Sequence, residues 1–286
     1  MPRAPGHDVH YKRIMRVLAV LLVLEGVAAA DEVAPPPPDA NQSPGWLLIE
    51  RLDGNSTAGG DVTYMVLDGD ADTPVMRLDL HGRYLDRRRL GGYFDVPVAV
   101  ETGSGDDTAG IGDIELGGLF LPRFTSPEFG MAVHIGLTLP TGNTDKSGLL
   151  NLLAAYARPD DLFLSLPHGT SLRIGASPTF RSGNVFVKVA VGVDVNIDQT
   201  GDQDADSVFR LGFGFGVDIG SFAVTAEISN LFPTNDAADT LAVGALGIRV
   251  PLGMYHPYAA VIVPLEDDTQ AVYEVAVTAG LEVALP

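Results

Sequence analysis

From residue 62 onward the chain alternates between apolar and polar positions, a period of two that reads as strand and not helix. The clearest stretch is "NVFVKVAVGVDVNID", in which Val185, Val187, Val189, Val191, Val193 and Val195 share one face. Lys188, Gly192, Asp194 and Asn196 share the other. In "VFRLGFGFGVDIG", Phe209, Leu211, Phe213, Phe215 and Val217 oppose Arg210, Gly212, Gly214, Gly216 and Asp218. Twelve such segments are predicted: 62–68, 75–86, 91–102, 111–121, 129–140, 170–181, 185–197, 208–219, 222–232, 240–251, 256–264 and 271–285. Most run to about ten to fourteen residues, the length a tilted strand needs to cross an outer membrane, and an even count returns both termini to one side.

Alternation also fits a soluble sandwich with its apolar face inward. Two features favour an outer-membrane barrel. The polar faces are rich in glycine and in charges of both signs, as a crowded lumen would be. The connections also alternate in length. Short turns at 86–90, 182–184 and 220–221 are interleaved with longer loops at 103–109, 141–169, 198–207 and 233–239. Acids crowd the long set, while Arg87, Arg88, Arg89 and Arg123 fall in the short one. The expected fold is therefore all-β, an antiparallel transmembrane β-barrel of the outer-membrane type with about twelve strands. Pro97, Pro178 and Pro251 fall within the predicted strands and are expected to mark bulges or strand ends.

The N-terminus carries a different pattern. Lys12, Arg13 and Arg16 precede an apolar run from Val17 to Val27, broken by Glu25, and Ala28-Ala29-Ala30 supplies small residues for cleavage. Residues 1–30 are expected to be a signal peptide that is removed. Residues 31–60 open with "DEVAPPPPDANQSPG", an extended proline-rich spacer, and continue into Trp46-Leu47-Leu48-Ile49, a candidate periplasmic plug. Residues 61–286 would form the barrel. Composition narrows the function classes. The 286 residues carry 18 Lys and Arg against 37 Asp and Glu, a net charge of −19. Nucleic acid would be repelled by that balance. With no cysteine, disulfides, thiolate metal sites and cysteine nucleophiles are excluded.

"GIGDIELGGLFLP", Gly110 to Pro122, has the look of a glycine-rich phosphate loop. A dinucleotide loop must open a helix, whereas here Ile114, Leu116 and Phe120 alternate with Asp113, Glu115 and Gly117. The stretch is a strand. Together with "FGMAVHIGLTLPTGN" it resembles the family of outer-membrane transporters typified by the phenol meta-pathway outer-membrane protein. That family carries a G-[IL]-G-D-x-x-L-G strand followed by an apolar strand ending in L-P-T-G. The match covers Gly110 to Asn143. The resemblance implies a barrel involved in uptake of hydrophobic or aromatic compounds.

Strand parity assigns the lumen to Arg77, Asp79, His81, Arg83, Asp95, Asp113, Glu115, His134, Arg173, Lys188, Asp194, Arg210, Glu227 and Glu274. These could line a charged pore or form a salt-bridged interior, since buried charges must pair. Catalysis is not expected. His81 and His134 are the only strand histidines within these segments that have lumen parity, no G-x-S-x-G occurs, and no cofactor is implied. Asp68, Asp70 and Asp72, and again Asp202, Asp204 and Asp206, space oxygen ligands two apart, but neither set continues as a calcium loop does. In loop 141–169, Leu149, Leu152, Leu153 and Tyr156 recur at helical spacing and are expected to gate the lumen. The expected partners are outer-membrane lipid, lipopolysaccharide, the barrel assembly machinery and a small solute. The function expected is passive diffusion of small hydrophobic molecules, with a structural or adhesive barrel of filled interior as the alternative.

Overall fold

The computed structural model describes residues 46–49, 51–67, 75–101, 108–142, 146–165, 169–197, 207–234 and 240–286. The signal peptide, the proline-rich spacer and both aspartate-rich loops, with Asp68, Asp70, Asp72, Asp202, Asp204 and Asp206, lie outside these residues.

The alternating segments form β1 (Thr57–Leu67), β2 (Val75–Leu85), β3 (Leu90–Glu101), β4 (Thr108–Ile111), β5 (Ile114–Phe120), β6 (Phe129–Leu139) and β7 (Ser171–Ser182). They continue as β8 (Val185–Asn196), β9 (Ser207–Ile219), β10 (Phe222–Pro233), β11 (Leu241–Arg249), β12 (Tyr255–Pro264) and β13 (Tyr273–Ala284). Each course pairs antiparallel with the next, and β1 pairs with β13 to close the ring. Both β4 and β5 pair with β3, so they are two halves of one course and the barrel has twelve. The first strand starts at Thr57, five residues before the alternation becomes readable, because "TAGGD" is polar and glycine-rich.

Two irregularities interrupt the ladder. Asp95 opposes Glu115 and Val98 opposes Ile111, so Val96 and Pro97 on β3 face Gly112, Asp113 and Ile114. One extra residue makes a bulge, and it sits where Pro97 has no N–H to give. The second is between β1 and β13. Val66 opposes Val275 but Leu67 opposes Tyr273, leaving Glu274 without a partner. Pro178 lies opposite Met131 on β6, and the β7–β8 pairing skips Ser177 and Pro178 with the register unchanged on either side. Pro251 falls just beyond β11.

Short turns and the two ends of the ring share one rim. Gly183 and Gly220 take φ of 58° and 61° there, which the tight β7–β8 and β9–β10 turns require and which glycine adopts at least cost. The longer connections emerge at the opposite rim. The outer surface is apolar: Ile135 is 54% exposed, Phe213 47% and Leu246 62%. The inward surface holds the charges. That inversion is the pattern of a barrel solvated by lipid.

The lumen is occupied from both ends. Residues 46–49 and 51–56 lie within it ahead of β1. From the other rim, the β6–β7 connection folds inward as α1 (Lys146–Ala155), a single 3₁₀ turn (Pro159–Asp161) and α2 (Leu162–Ser165). A further short helix, α3 (Asp267–Gln270), stays in the β12–β13 connection.

Candidate functional site

The N-terminal segment is seated by shape and by one carboxylate. Trp46 and Ile49 pack against Phe186, Ala190 and Ala223 from the inward faces of β8 and β10. They also lie over β9, where a Cβ at Gly214 would come within 2.3 Å of the Trp46 ring and one at Gly212 within 2.5 Å of Ile49. The glycine-rich inner face of β9 is the room this segment needs. Glu227 on β10 accepts hydrogen bonds from the backbone N–H groups of Leu47 (2.9 Å), Leu48 (2.8 Å) and Ile49 (3.3 Å). Further along, Lys188 donates to the Leu52 carbonyl (3.1 Å), and Arg83 pairs with Asp53 (3.0 Å). Burial pushes the Asp53 carboxyl above its ordinary value, against the pull of Arg83. Burial also works against the charge of Arg51, but Asp61, at 2.8 Å, and its other acidic neighbours hold its pKa well above normal.

The insert from the other rim has two halves. In the first, Leu150, Ala154 and Ala157 present a small apolar face to the barrel wall, where Met65, Val75, Ala99, Val243, Ile262 and Ala276 meet it. Leu153 and Tyr156 pack partly buried at the edge, and Leu152 is also only partly buried. Of the residues expected to gate the lumen, Leu153 and Tyr156 thus pack at the edge of this cluster, whose buried part is supplied by Leu150, Ala154 and Ala157. The side chain of Leu149 is outside what the structure describes. In the second half the contacts are ionic. Arg158 pairs with Asp61 of β1 (3.0 Å) and Asp79 of β2 (2.7 Å), and donates to the Leu47 carbonyl (3.0 Å). Asp161 pairs with Arg77 (2.9 Å), Asp160 accepts from Ser229 (2.8 Å), and the Asp160 carbonyl accepts from Arg173.

The phosphate-loop look of "GIGD" has its explanation here. Asp113 is fully buried at the bulge; its N–H donates to the Leu164 carbonyl of α2 (2.6 Å), and its carboxylate accepts from the N–H of Gly142. Thr141 accepts from the Ile114 N–H (3.0 Å) and donates to the Gly112 carbonyl (3.3 Å). A Cβ at Gly112 would stand 2.5 Å from the Leu164 carbonyl oxygen. The "GIGD" and "LPTG" motifs are therefore one device that anchors the insert where it enters the lumen.

Of the lumen candidates, Arg77, Asp79, His81, Arg83, Asp113, Glu115, His134, Arg173, Lys188, Asp194, Arg210 and Glu227 are all buried within the barrel. Asp95 is partly buried. The structure corrects Glu274. It is exposed, because the bulge on β13 reverses the parity of the strand end and turns Tyr273 inward instead. Most charges are paired across the lumen. Arg173 reaches Glu115 (3.2 Å) and Asp194 (3.2 Å), and Arg210 reaches Asp194 (3.1 Å). Glu282 is shared by Arg249 (2.6 Å), His81 (3.4 Å) and Arg83 (3.6 Å). The largest contributors missed from sequence are Asp61, Arg51, Arg158, Asp160 and Asp161. A cavity of about 40 Å³ remains between the two inserts, lined by Arg51, Arg83, Asp95, Glu115, Arg158 and Arg173 among others. That is room for a few waters.

The same architecture recurs in known proteins. An outer membrane channel from Pseudomonas putida F1 superposes with a TM-score of 0.59 at 15% identity, over 89% of this chain and 100% of that one. The NanC porin gives 0.52 at 9% identity, over 80% of this chain and 100% of its own. No protein-family model and no curated protein sequence matches the chain. At identities this low the likeness establishes the fold, which is that of a twelve-course outer-membrane β-barrel.

Proposed function

We propose that this chain is a gated outer-membrane channel for small hydrophobic molecules, held closed in the conformation described. The observation that carries the reading is the apolar stretch of inner wall at the long-loop rim. Met65, Val75, Ala99, Val243 and Ile262 point inward there and form, with Tyr273 and Ala276, the largest apolar cluster inside a barrel whose lumen also carries many charges. Among the described residues they are covered by Leu150 and Ala154 of a ten-residue helix, by Ala157 just beyond it and by Leu48 of the N-terminal segment. Small side chains on a short helix are a modest hold, since burial contributes roughly 25 cal/mol per Å² of apolar surface. Displacing the insert would open the mouth onto an apolar wall suited to a hydrophobic solute. The neighbouring outer membrane channel, and the resemblance of Gly110–Asn143 to a family implicated in hydrophobic uptake, support this reading. Outer-membrane lipid, lipopolysaccharide and the barrel assembly machinery are the partners such a barrel would have.

One observation favours the alternative of a structural barrel with a filled interior: the cavity between the two inserts holds only about 40 Å³. Deleting Ser147 to Ala157 separates the two readings. A channel should then show larger single-channel steps in planar bilayers and faster flux of a hydrophobic solute into liposomes, with the barrel still resisting heat in detergent. Silence before and after the deletion supports the filled barrel.

A further inference from the structure

Among the fully buried residues of the apolar cluster that α1 helps to form, Tyr273 carries a polar side-chain atom. Tyr273 is fully buried among Met65, Val75, Ala99 and Ile262, and its hydroxyl has no hydrogen-bond partner among the described residues. A buried donor left unpaired keeps its full desolvation cost, which is why such groups in native proteins call for a reason. Its placement is also not what the strand would do unaided. By simple alternation Tyr273 would face outward with Val275 and Val277, where a tyrosine at the rim of a barrel is commonplace. The bulge at Glu274 turns it inward instead. Bulges re-aim side chains, and they concentrate next to functional sites. The insert contributes Leu150, Ala154 and Ala157 to the same cluster, none of which has a side-chain oxygen or nitrogen.

We propose that Tyr273 and the wall around it form the solute-binding site of the channel, specific for a compact apolar molecule carrying one hydrogen-bonding oxygen, such as an alcohol, a phenol or a ketone. The inference rests on the channel reading given above. In the closed state the insert matches the apolar part of the site, and among the described residues the phenol has no hydrogen-bond partner. A solute of similar apolar footprint with an oxygen at the right place satisfies both, and so competes with the helix for the wall. A plain hydrocarbon gains only the apolar part.

The test compares 2-naphthol with naphthalene, which share shape and differ by one hydroxyl. Binding to the full-length barrel in detergent is measured by equilibrium dialysis, corrected for partition into empty micelles. The wild-type protein and Tyr273→Phe are compared, each with and without the Ser147–Ala157 deletion. Tyr273→Phe keeps the ring and removes only an unpaired hydroxyl, so the barrel should assemble; heat-modifiable gel mobility checks this. The expected result is that the substitution lowers the preference for naphthol over naphthalene by about three- to tenfold. Naphthalene binding should be unchanged, and the deletion should raise binding of both. An unchanged preference in Tyr273→Phe, with both solutes bound, overturns the role of Tyr273 and leaves the channel reading standing. Binding of neither solute, even after the deletion, overturns both.

Discussion

Arg158→Ala tests whether the insert is a gate or part of the core. Arg158 is 4% exposed and, among the described residues, ties the insert to β1, β2 and the N-terminal segment at once. Removing one partner of a buried ion pair costs about 3–5 kcal/mol, because the other is left uncompensated. Here the lower end applies. Asp61 keeps Arg51 at 2.8 Å and the Tyr258 hydroxyl at 2.9 Å, and Asp79 keeps Arg77 at 2.7 Å, so neither acid is stranded. The loss falls on the closed conformation alone, since the strand ladders do not use Arg158 and an open lumen rehydrates the two acids. About 3 kcal/mol shifts a closed-to-open equilibrium by roughly a hundredfold. In planar bilayers the variant should open far more often than wild type, with the size of the single-channel step unchanged. The double variant Arg158→Met with Asp79→Asn should close again in large part, because a pair replaced on both sides leaves no bare charge. If Arg158→Ala shows wild-type opening while the melting of the whole barrel drops, the insert is structural core and the gate reasoning fails.

Two further outcomes are expected. Val191→Arg places a charge on the outward face, where Val191 is 37% exposed, and should slow assembly into membranes by a cost of roughly 2–4 kcal/mol if near the midplane; normal assembly would show that this face does not meet lipid. Glu227→Gln weakens the hydrogen bonds to Leu47, Leu48 and Ile49, and protease added from the short-turn rim should then cut within residues 46–56 at least tenfold faster, a difference of about 1.4 kcal/mol. Cleavage at the wild-type rate would mean that packing of Trp46 alone holds the segment.

The strand courses and the charged interior were readable from the sequence because both follow from a period of two, which local composition records directly. Val185 to Asn196 needed no tertiary information at all. What the period cannot record is pairing. Glu274 sits in clean alternation with Thr278, Gly280 and Glu282, so only the register of β13 against β1 reveals that an extra residue turns Tyr273 inward. The inner pairing of Asp61, Arg51, Arg158 and Asp161 was hidden for a related reason. Three of the four lie in segments with no alternation, and their partners are up to roughly a hundred residues away. A signal was present nonetheless: "ARPDD", an arginine and two acids directly after an apolar helical stretch, is an odd composition for a solvent loop. The "GIGD" and "LPTG" motifs could be matched to a family by sequence, but their joint action in anchoring α2 depends on the fold.

The hydrogen bond from Arg158 to the Leu47 carbonyl makes the two occupants of the lumen neighbours, and neighbours that share a contact exchange free energy. Linkage of this kind is reciprocal: whatever factor loss of the insert applies to release of the N-terminal segment, loss of that segment applies to release of the insert. On the proposed channel reading, a solute that displaced the insert from the wall would therefore lower the cost of releasing the N-terminal segment. The barrel would on that reading behave as a relay, in which displacement of the insert at one rim favours release of the N-terminal segment at the other.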